Sequence, residues 1–126
     1  MQLSYQIDES ASFIRSHWSG EYDPVQVQKL VVELIADPQI RPGLNFLSDW
    51  SNLESIPTTD SVKVGVNLLE MMIEKLGSFK YAIVTRDDVS YGMGRMLEGL
   101  ATMSAVEVRA FRDVEGAESW LAGVGS

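Results

Sequence analysis

The chain has 126 residues and a formal net charge of −8, with 45% apolar and 22% charged residues. This is the composition of one globular domain spanning residues 1–126. The negative charge argues against nucleic acid or an anionic membrane surface as a partner. With no cysteine and no run of about 18 apolar residues, the chain is expected to be cytoplasmic, free of disulfides and not inserted in a membrane.

The first predicted element is a β-hairpin. Apolar and polar residues alternate from Leu3 to Ile7, which is typical of a half-buried strand. Residues 8–10 form a polar turn, and residues 11–18 alternate again as a second strand.

A helix is predicted to begin after Asp23, which can act as the N-cap residue. Pro24 suits the first helical position, and Gln26 completes a capping box. Pro38 ends the helix, because the residue before a proline avoids the α region. Residues 44–48 are then predicted as the third strand, followed by an irregular polar segment over residues 49–57.

Residues 62–76 are predicted to form a long helix. The alternating valines at its start also fit a strand, but the continuing helical period favours a helix. One apolar row suits packing on a sheet: Val62, Val66, Leu69, Ile73 and Leu76. A second row widens the apolar surface beyond what such packing requires: Val64, Leu68, Met71 and Met72.

The unbroken apolar run at residues 81–84 predicts a central strand buried on both faces. A helix follows, and its predicted apolar face consists of Val89, Met93, Met96, Leu97 and Leu100. Residues 106–111 are typical of an edge strand, and Asp113 caps a short last helix. The order is therefore ββαβαβαβα. It predicts an α/β fold with a five-stranded, mostly parallel sheet, an antiparallel first strand and four packing helices.

Three features could carry chemistry, and each has a simpler structural interpretation. Asp87 and Asp88 could bind a divalent metal, but an N-cap role is favoured. Residues 91–95 resemble a glycine-rich loop without the third glycine of a nucleotide-binding fingerprint, so close helix–sheet packing is favoured. His17, the only histidine, is interpreted as an ordinary strand residue. No catalytic residue, metal site or cofactor is predicted.

The methionines suggest a further possibility. The simplest interpretation of Met71, Met72, Met93, Met96 and Met103 is that they fill the core. Methionine is common where a surface must adapt to varied apolar partners. The second apolar row, together with Met93 and Met96, is therefore predicted to form either a homodimer contact or a pocket for a small apolar ligand.

Several segments together give the chain a resemblance to the bacterial SpoIIAA-like family, which is related to STAS domains and grouped with CRAL-TRIO lipid carriers. They are the hairpin ending at residues 18–21, the strand at 81–84, residues 91–96, and the closing residues 108–113 with Trp120 and Leu121. The resemblance covers nearly the whole chain. It implies the SpoIIAA-like fold and a regulatory function without catalysis.

The resemblance also implies a candidate phosphorylation site. In STAS regulators an aspartate ends the third strand, and an Asp-Ser-Ser-Gly motif opens the next helix, where the second serine is phosphorylated. Here Asp49 matches the strand-end aspartate and Thr59 matches the phosphoserine. Pro57 replaces the aspartate of the motif and Asp60 replaces its glycine. The Asp60 carboxylate would repel a phosphate on Thr59.

Three classes of function remain open at this stage. The first is a STAS-like regulatory or protein-interaction module, acting on a protein partner or on a second copy of the chain. The second is a carrier of small, lipid-like apolar ligands in a groove under the 62–76 helix. The third is an enzyme, for which only His17, Asp87 and Asp88 offer any support.

Overall fold

The structure is a computed structural model, and it describes residues 1–102 and 105–123. The strands are β1 (Gln2–Asp8), β2 (Phe13–Gly20), β3 (Asn45–Leu53), β4 (Phe79–Val84) and β5 (Val106–Phe111). The helices are α1 (Pro24–Ala36), α2 (Thr59–Met71), the one-turn α3 (Ile73–Leu76), α4 (Asp88–Leu100) and α5 (Val114–Leu121). Among the described residues, no helix is long and apolar enough to cross a bilayer.

The five strands form one sheet in the order β1-β2-β3-β4-β5. β1 pairs with β2 antiparallel, and the other neighbouring strands pair in parallel. This confirms the predicted α/β fold, including the antiparallel first strand and the edge position of β5.

The helices cover the two faces of the sheet unequally. α1, α2 and α4 pack on one face, where the larger apolar cluster includes Leu34, Leu69, Tyr81 and Leu97. α5 packs on the other face, over a smaller cluster around Leu47 and Val84. Because β3 and β4 have apolar residues on both faces, they form the centre of the fold.

Three predicted boundaries were wrong. β2 begins at Phe13 rather than at residue 11, because Ser12 turns the chain with a positive φ of 57°. β3 continues to Leu53, so half of the segment predicted to be irregular belongs to a strand. The helix predicted over 62–76 begins at Thr59 and is interrupted at Met72, whose N–H bonds to the carbonyl of Leu69 three residues back.

Aspartate caps start three of the helices, as the sequence predicted. The Asp23 carboxylate accepts a hydrogen bond from the Val25 N–H at 3.0 Å. Asp87 accepts from the Ser90 N–H at 2.8 Å, and this bond lowers the pKa of Asp87. Asp113 accepts from the N–H of Gly116 at 2.6 Å. Each bond satisfies an amide that has no partner within its helix.

The buried face of α4 differs from the prediction. It consists largely of small residues: Ser90, Gly94, Leu97 and Ala101. Gly94 allows the close approach, since a Cβ on it would lie 2.9 Å from the Ala110 Cβ on β5. Three of the larger apolar side chains of α4, those of Val89, Met96 and Leu100, are exposed.

The close approach of α4 can be tested with two glycines of the same helix. We expect Gly94→Ala to destabilise the protein by about 1–3 kcal/mol, because its methyl group would overlap that of Ala110. Gly92→Ala is the matched control, since a Cβ there meets open space. It should stabilise the helix by roughly 0.5–1 kcal/mol. Urea denaturation of both variants gives the comparison, and equal shifts of the midpoint would contradict the packing described here.

Candidate functional site

An apolar cavity of about 50 Å³ lies between the sheet, α1 and α2. Its sheet side is aromatic, with Trp18, Phe46, Trp50 and Tyr81. The helical side is formed largely by aliphatic residues of α1, of α2 and of the C-cap position after α2. These are Val27, Leu30, Val31, Val62, Leu68, Leu69 and Met72. The remaining wall residues are Tyr22, Pro57, Ser61, Gly65 and Leu97.

A chain of buried hydrogen bonds crosses the sheet next to this cavity. The Tyr81 hydroxyl donates to Ser48 Oγ at 2.6 Å, and Ser48 and Ser16 are 2.9 Å apart. Ser16 also accepts from Trp18 Nε1 at 2.9 Å and donates to the carbonyl of Leu47 at 3.2 Å. Ser48 therefore donates to Ser16, since the Ser16 proton is already used. Burial raises the pKa of Tyr81, so its hydroxyl stays a proton donor at neutral pH.

Trp50 is the exception in this polar arrangement. It packs against Trp18 with ring centroids 5.7 Å apart and is only 5% exposed. Its Nε1–H has no hydrogen-bond partner, and it is the only such buried side-chain atom in residues 1–102 and 105–123. A buried donor without an acceptor is uncommon in native proteins.

Sequence reasoning missed this site because it ended the third strand too early. Trp50 falls in the segment predicted to be irregular. The available signal was the alternation of Phe46, Ser48 and Trp50, which places all three on one face of an extended strand.

The residues predicted to form the ligand or interface site fall into separate environments. Leu68 is half-buried and Met72 is buried, and both line the cavity. Val64, Met71 and Met96 are exposed on the surface. Met93 is half-buried against the core. Met93 and Met96 do not line this cavity, whose wall opposite the helix is formed by aromatic strand residues. Met103 lies outside the described residues.

The predicted phosphorylation site lies at the start of α2. Thr58 is the N-cap, and its hydroxyl oxygen accepts from the Ser61 N–H at 3.1 Å. Thr59 is the first helical residue and is exposed. Asp49 departs from the expected pattern, because it lies within β3 rather than at its end and accepts hydrogen bonds from Ser51.

The other candidate residues have structural roles. Asp87 is the N-cap of α4, and Asp88 forms an ion pair with Arg112 on the surface. Gly94 gives the close helix–sheet packing that was favoured over a nucleotide site. His17 is exposed on β2, in register with Asp49 of β3. Within the described ranges, no group of three His, Cys, Asp or Glu side chains is arranged to hold a metal ion.

The size of the cavity bears on the predicted carrier function. A dry cavity of about 150 Å³ can hold benzene. The present cavity has about a third of that volume. It therefore gives no support to a lipid-sized ligand.

The buried hydrogen-bond chain leads to a prediction for Tyr81. We expect Tyr81→Phe to lower the free energy of unfolding by about 1–3 kcal/mol, because Ser48 loses its buried donor. Urea denaturation measures the loss. In a Ser48→Ala background the cost should become smaller, since the acceptor is already absent. An equal cost in both backgrounds would show that the bond does not matter.

The sequence matches no known protein-family model, and no curated protein matches it. Solved structures do match. One is an uncharacterised protein of the DUF3478 family with a SpoIIAA-like fold from Shewanella loihica PV-4. It is 18% identical with a TM-score of 0.62, and the match covers 94% of this chain and 93% of that one.

A second match is an anti-sigma factor antagonist from Mycobacterium paratuberculosis. It is also 18% identical, with a TM-score of 0.59, and the match covers 95% of this chain and 94% of the other. At this identity the likeness concerns the fold. The resemblance predicted from the sequence is confirmed at that level: the chain has the SpoIIAA-like fold, shared over nearly its whole length with these two proteins.

Proposed function

We propose that the chain is a STAS-like regulatory module of the bacterial cytoplasm that acts by binding protein rather than by catalysis. The fold supports this proposal, since one of its structural neighbours is an anti-sigma factor antagonist. Fold alone does not carry function. The proposal therefore also needs a binding site on the surface of this chain.

The observation that carries the proposal is the apolar surface of α2 and α4. Eight large apolar side chains are exposed in the described part of the chain, and five of them belong to these two helices. The five are Val64, Met71, Val89, Met96 and Leu100. We call these five residues the α2–α4 surface. The two helices are neighbours, because a Cβ on Gly65 of α2 would lie 3.8 Å from Leu97 Cδ1 of α4.

Packing within the fold does not explain this surface. α2 already buries Val62 and Leu69 against the sheet, and α4 buries Leu97. Exposed apolar area beyond that costs solubility and usually marks a contact with another protein. Met71 and Met96 suit such a contact, because methionine side chains adapt to the shape of a partner. The partner is either a second protein or another copy of this chain.

This interface can be tested with charged substitutions on α2. Val64→Glu combined with Met71→Glu should abolish protein binding while the fold survives, since both side chains are exposed. Val32→Glu on α1 is the matched control, because Val32 is 55% exposed and Val64 is 51% exposed. Sedimentation measures self-association, and affinity purification from the native host identifies other partners.

The expected result is a dimer or a bound protein that the wild type and Val32→Glu retain and the double variant loses. If the wild type neither dimerises nor retains a protein, or if both variants lose it equally, the proposal is wrong.

We further propose Thr59 as a phosphorylation site that controls this interaction. Thr59 is exposed at the N-terminus of α2, where the helix dipole favours a phosphate. Asp60, in the same turn, opposes it. Thr58 is unsuitable as the acceptor, because its hydroxyl is engaged in capping the helix.

Mass spectrometry of the protein isolated from its native host tests this assignment. We expect a phosphate on Thr59 and its loss in Thr59→Val, with the denaturation midpoint nearly unchanged. Thr58→Val is the control. It should lower the free energy of unfolding by about 0.5–2 kcal/mol, because the helix loses its cap. A phosphate on Ser61, or none at all, would contradict the assignment.

A further inference from the structure

A polar cleft follows the edge strand β5 on the surface of the protein. It consists of two cavities of about 460 Å³ and 430 Å³, and both are lined by Arg95 and Glu98 of α4. The larger cavity lies toward the carboxyl end of β5, where Arg109 and Arg112 also line it. We call this larger cavity the arginine cleft.

The charge of the arginine cleft is opposite to that of the whole chain. The chain has a net charge of −8 and ten basic residues, and three of these ten line this one cleft. Glu98 is the acidic residue of its wall. A cleft lined mainly by charges of one sign concentrates ions of the opposite sign. The arginine cleft is therefore expected to attract an anion.

Aromatic rings support two of the three arginines. The Arg112 guanidinium lies over the ring of Tyr91, 4.3 Å from its centroid. The Arg109 guanidinium lies over the ring of Phe111 at 5.5 Å. Stacking on an aromatic face orients the planar guanidinium group before any ligand arrives. Less side-chain freedom is then lost on binding.

The ion pairs of these arginines are weak or absent. Arg112 pairs with Asp88, whose side chain is 86% exposed. Arg95 Nε lies 3.5 Å from Glu98 Oε2. In the described part of the chain, Arg109 forms no ion pair. Exposed ion pairs contribute little to stability, so a strongly charged anion can compete with them.

A phosphate monoester fits three arginines better than a carboxylate does. It carries a charge of roughly −1.5 to −2 at neutral pH and three strong acceptor oxygens. The planar fork of an arginine donates two parallel hydrogen bonds to such oxygens. A carboxylate has a single charge and only two oxygens to share among the arginines.

The position of the cleft beside β5 favours a phosphate that is carried by a protein. The Phe111 carbonyl accepts from the Thr85 N–H on the β4 side, whereas the Ala110 N–H points outward and donates to Glu98 at 3.2 Å. Since backbone groups alternate along a strand, the Val108 N–H points outward as well. An extended peptide can add to such an edge through main-chain hydrogen bonds. The net charge of −8 disfavours nucleic acid and anionic membranes as the source of the phosphate.

We propose that the arginine cleft binds a phosphorylated side chain on an extended segment of a partner protein. Arg95, Arg109 and Arg112 donate to the phosphate oxygens, and the outer edge of β5 pairs with the backbone of the segment. The second cavity, along the start of β5, receives the neighbouring residues of the segment. None of the five residues of the α2–α4 surface lines either cavity, so this site does not depend on the contact proposed above.

Peptide libraries with one fixed phosphorylated position provide the probe. Each peptide has a central phosphoserine, phosphothreonine or phosphotyrosine between randomised residues. The immobilised chain should select phosphopeptides, and a selected peptide should bind at least tenfold more tightly than the same peptide without phosphate. In ¹⁵N-labelled protein it should shift the backbone amide of Val108 and the side-chain Nε–H of Arg109 saturably. Inorganic phosphate should bind more weakly, because it cannot pair with β5.

Arg109→Gln tests the role of the cleft. It should lower the affinity for the selected phosphopeptide at least tenfold with little effect on stability, since Arg109 is exposed. Arg86→Gln is the matched control, because Arg86 is also exposed and lies outside both cavities. Arg109→Lys should give an intermediate affinity, since the charge remains but the fork is lost. The double variant Val64→Glu with Met71→Glu should bind the phosphopeptide as the wild type does.

Four results would overturn the proposal. One is a chain that selects no phosphopeptide, and another is an equal loss of affinity in Arg109→Gln and Arg86→Gln. A third is inorganic phosphate that binds as tightly as the selected peptide. The fourth is binding only to phosphatidylcholine vesicles that contain a phosphorylated inositol lipid, which would make the partner a membrane.

Discussion

The structure depends on the burial of β3 and β4 on both faces. On one face Phe46 and Tyr81 pack edge to face with ring centroids 5.1 Å apart. On the other face Leu47 and Ala82, which are neighbours in the register, are completely buried. Two strands with no polar face cannot be stable at the surface, so helices must cover both sides of the sheet. The alternation of strands and helices along the chain provides that cover.

Polar side chains are buried in the core beside these two central strands, and each needs a hydrogen-bond partner there. Ser16 and Ser48 are fully buried, and they remain compatible with the apolar core because each hydroxyl is bonded within a continuous chain. A half-satisfied arrangement would be costly in a medium of low polarity. Trp50 lies on the same face, and its Nε1–H has no acceptor, in contrast to the bonded serines.

The packing of α4 links the core to the proposed interface. Gly94 brings the helix so close to β5 that small residues occupy the buried side. Leu97 remains in the core, while Val89, Met96 and Leu100 of α4 are exposed. The part of the proposed protein-binding surface that α4 contributes therefore accompanies the close packing of its backbone on the sheet. Both features belong to the same short stretch of sequence.

The sequence by itself determined the order of the elements, the antiparallel first strand, the edge position of β5 and the aspartate caps. These features depend on local periodicity and on hydrogen bonds within a few residues. Only the tertiary structure decided that Trp50 extends β3, because its neighbour β2 supplies the pairing beyond Asp49. It also decided that the second apolar row divides between the cavity wall and the surface, with Leu68 and Met72 inward and Val64 and Met71 outward. Helical period places residues on a face, but the neighbouring elements determine whether that face is covered.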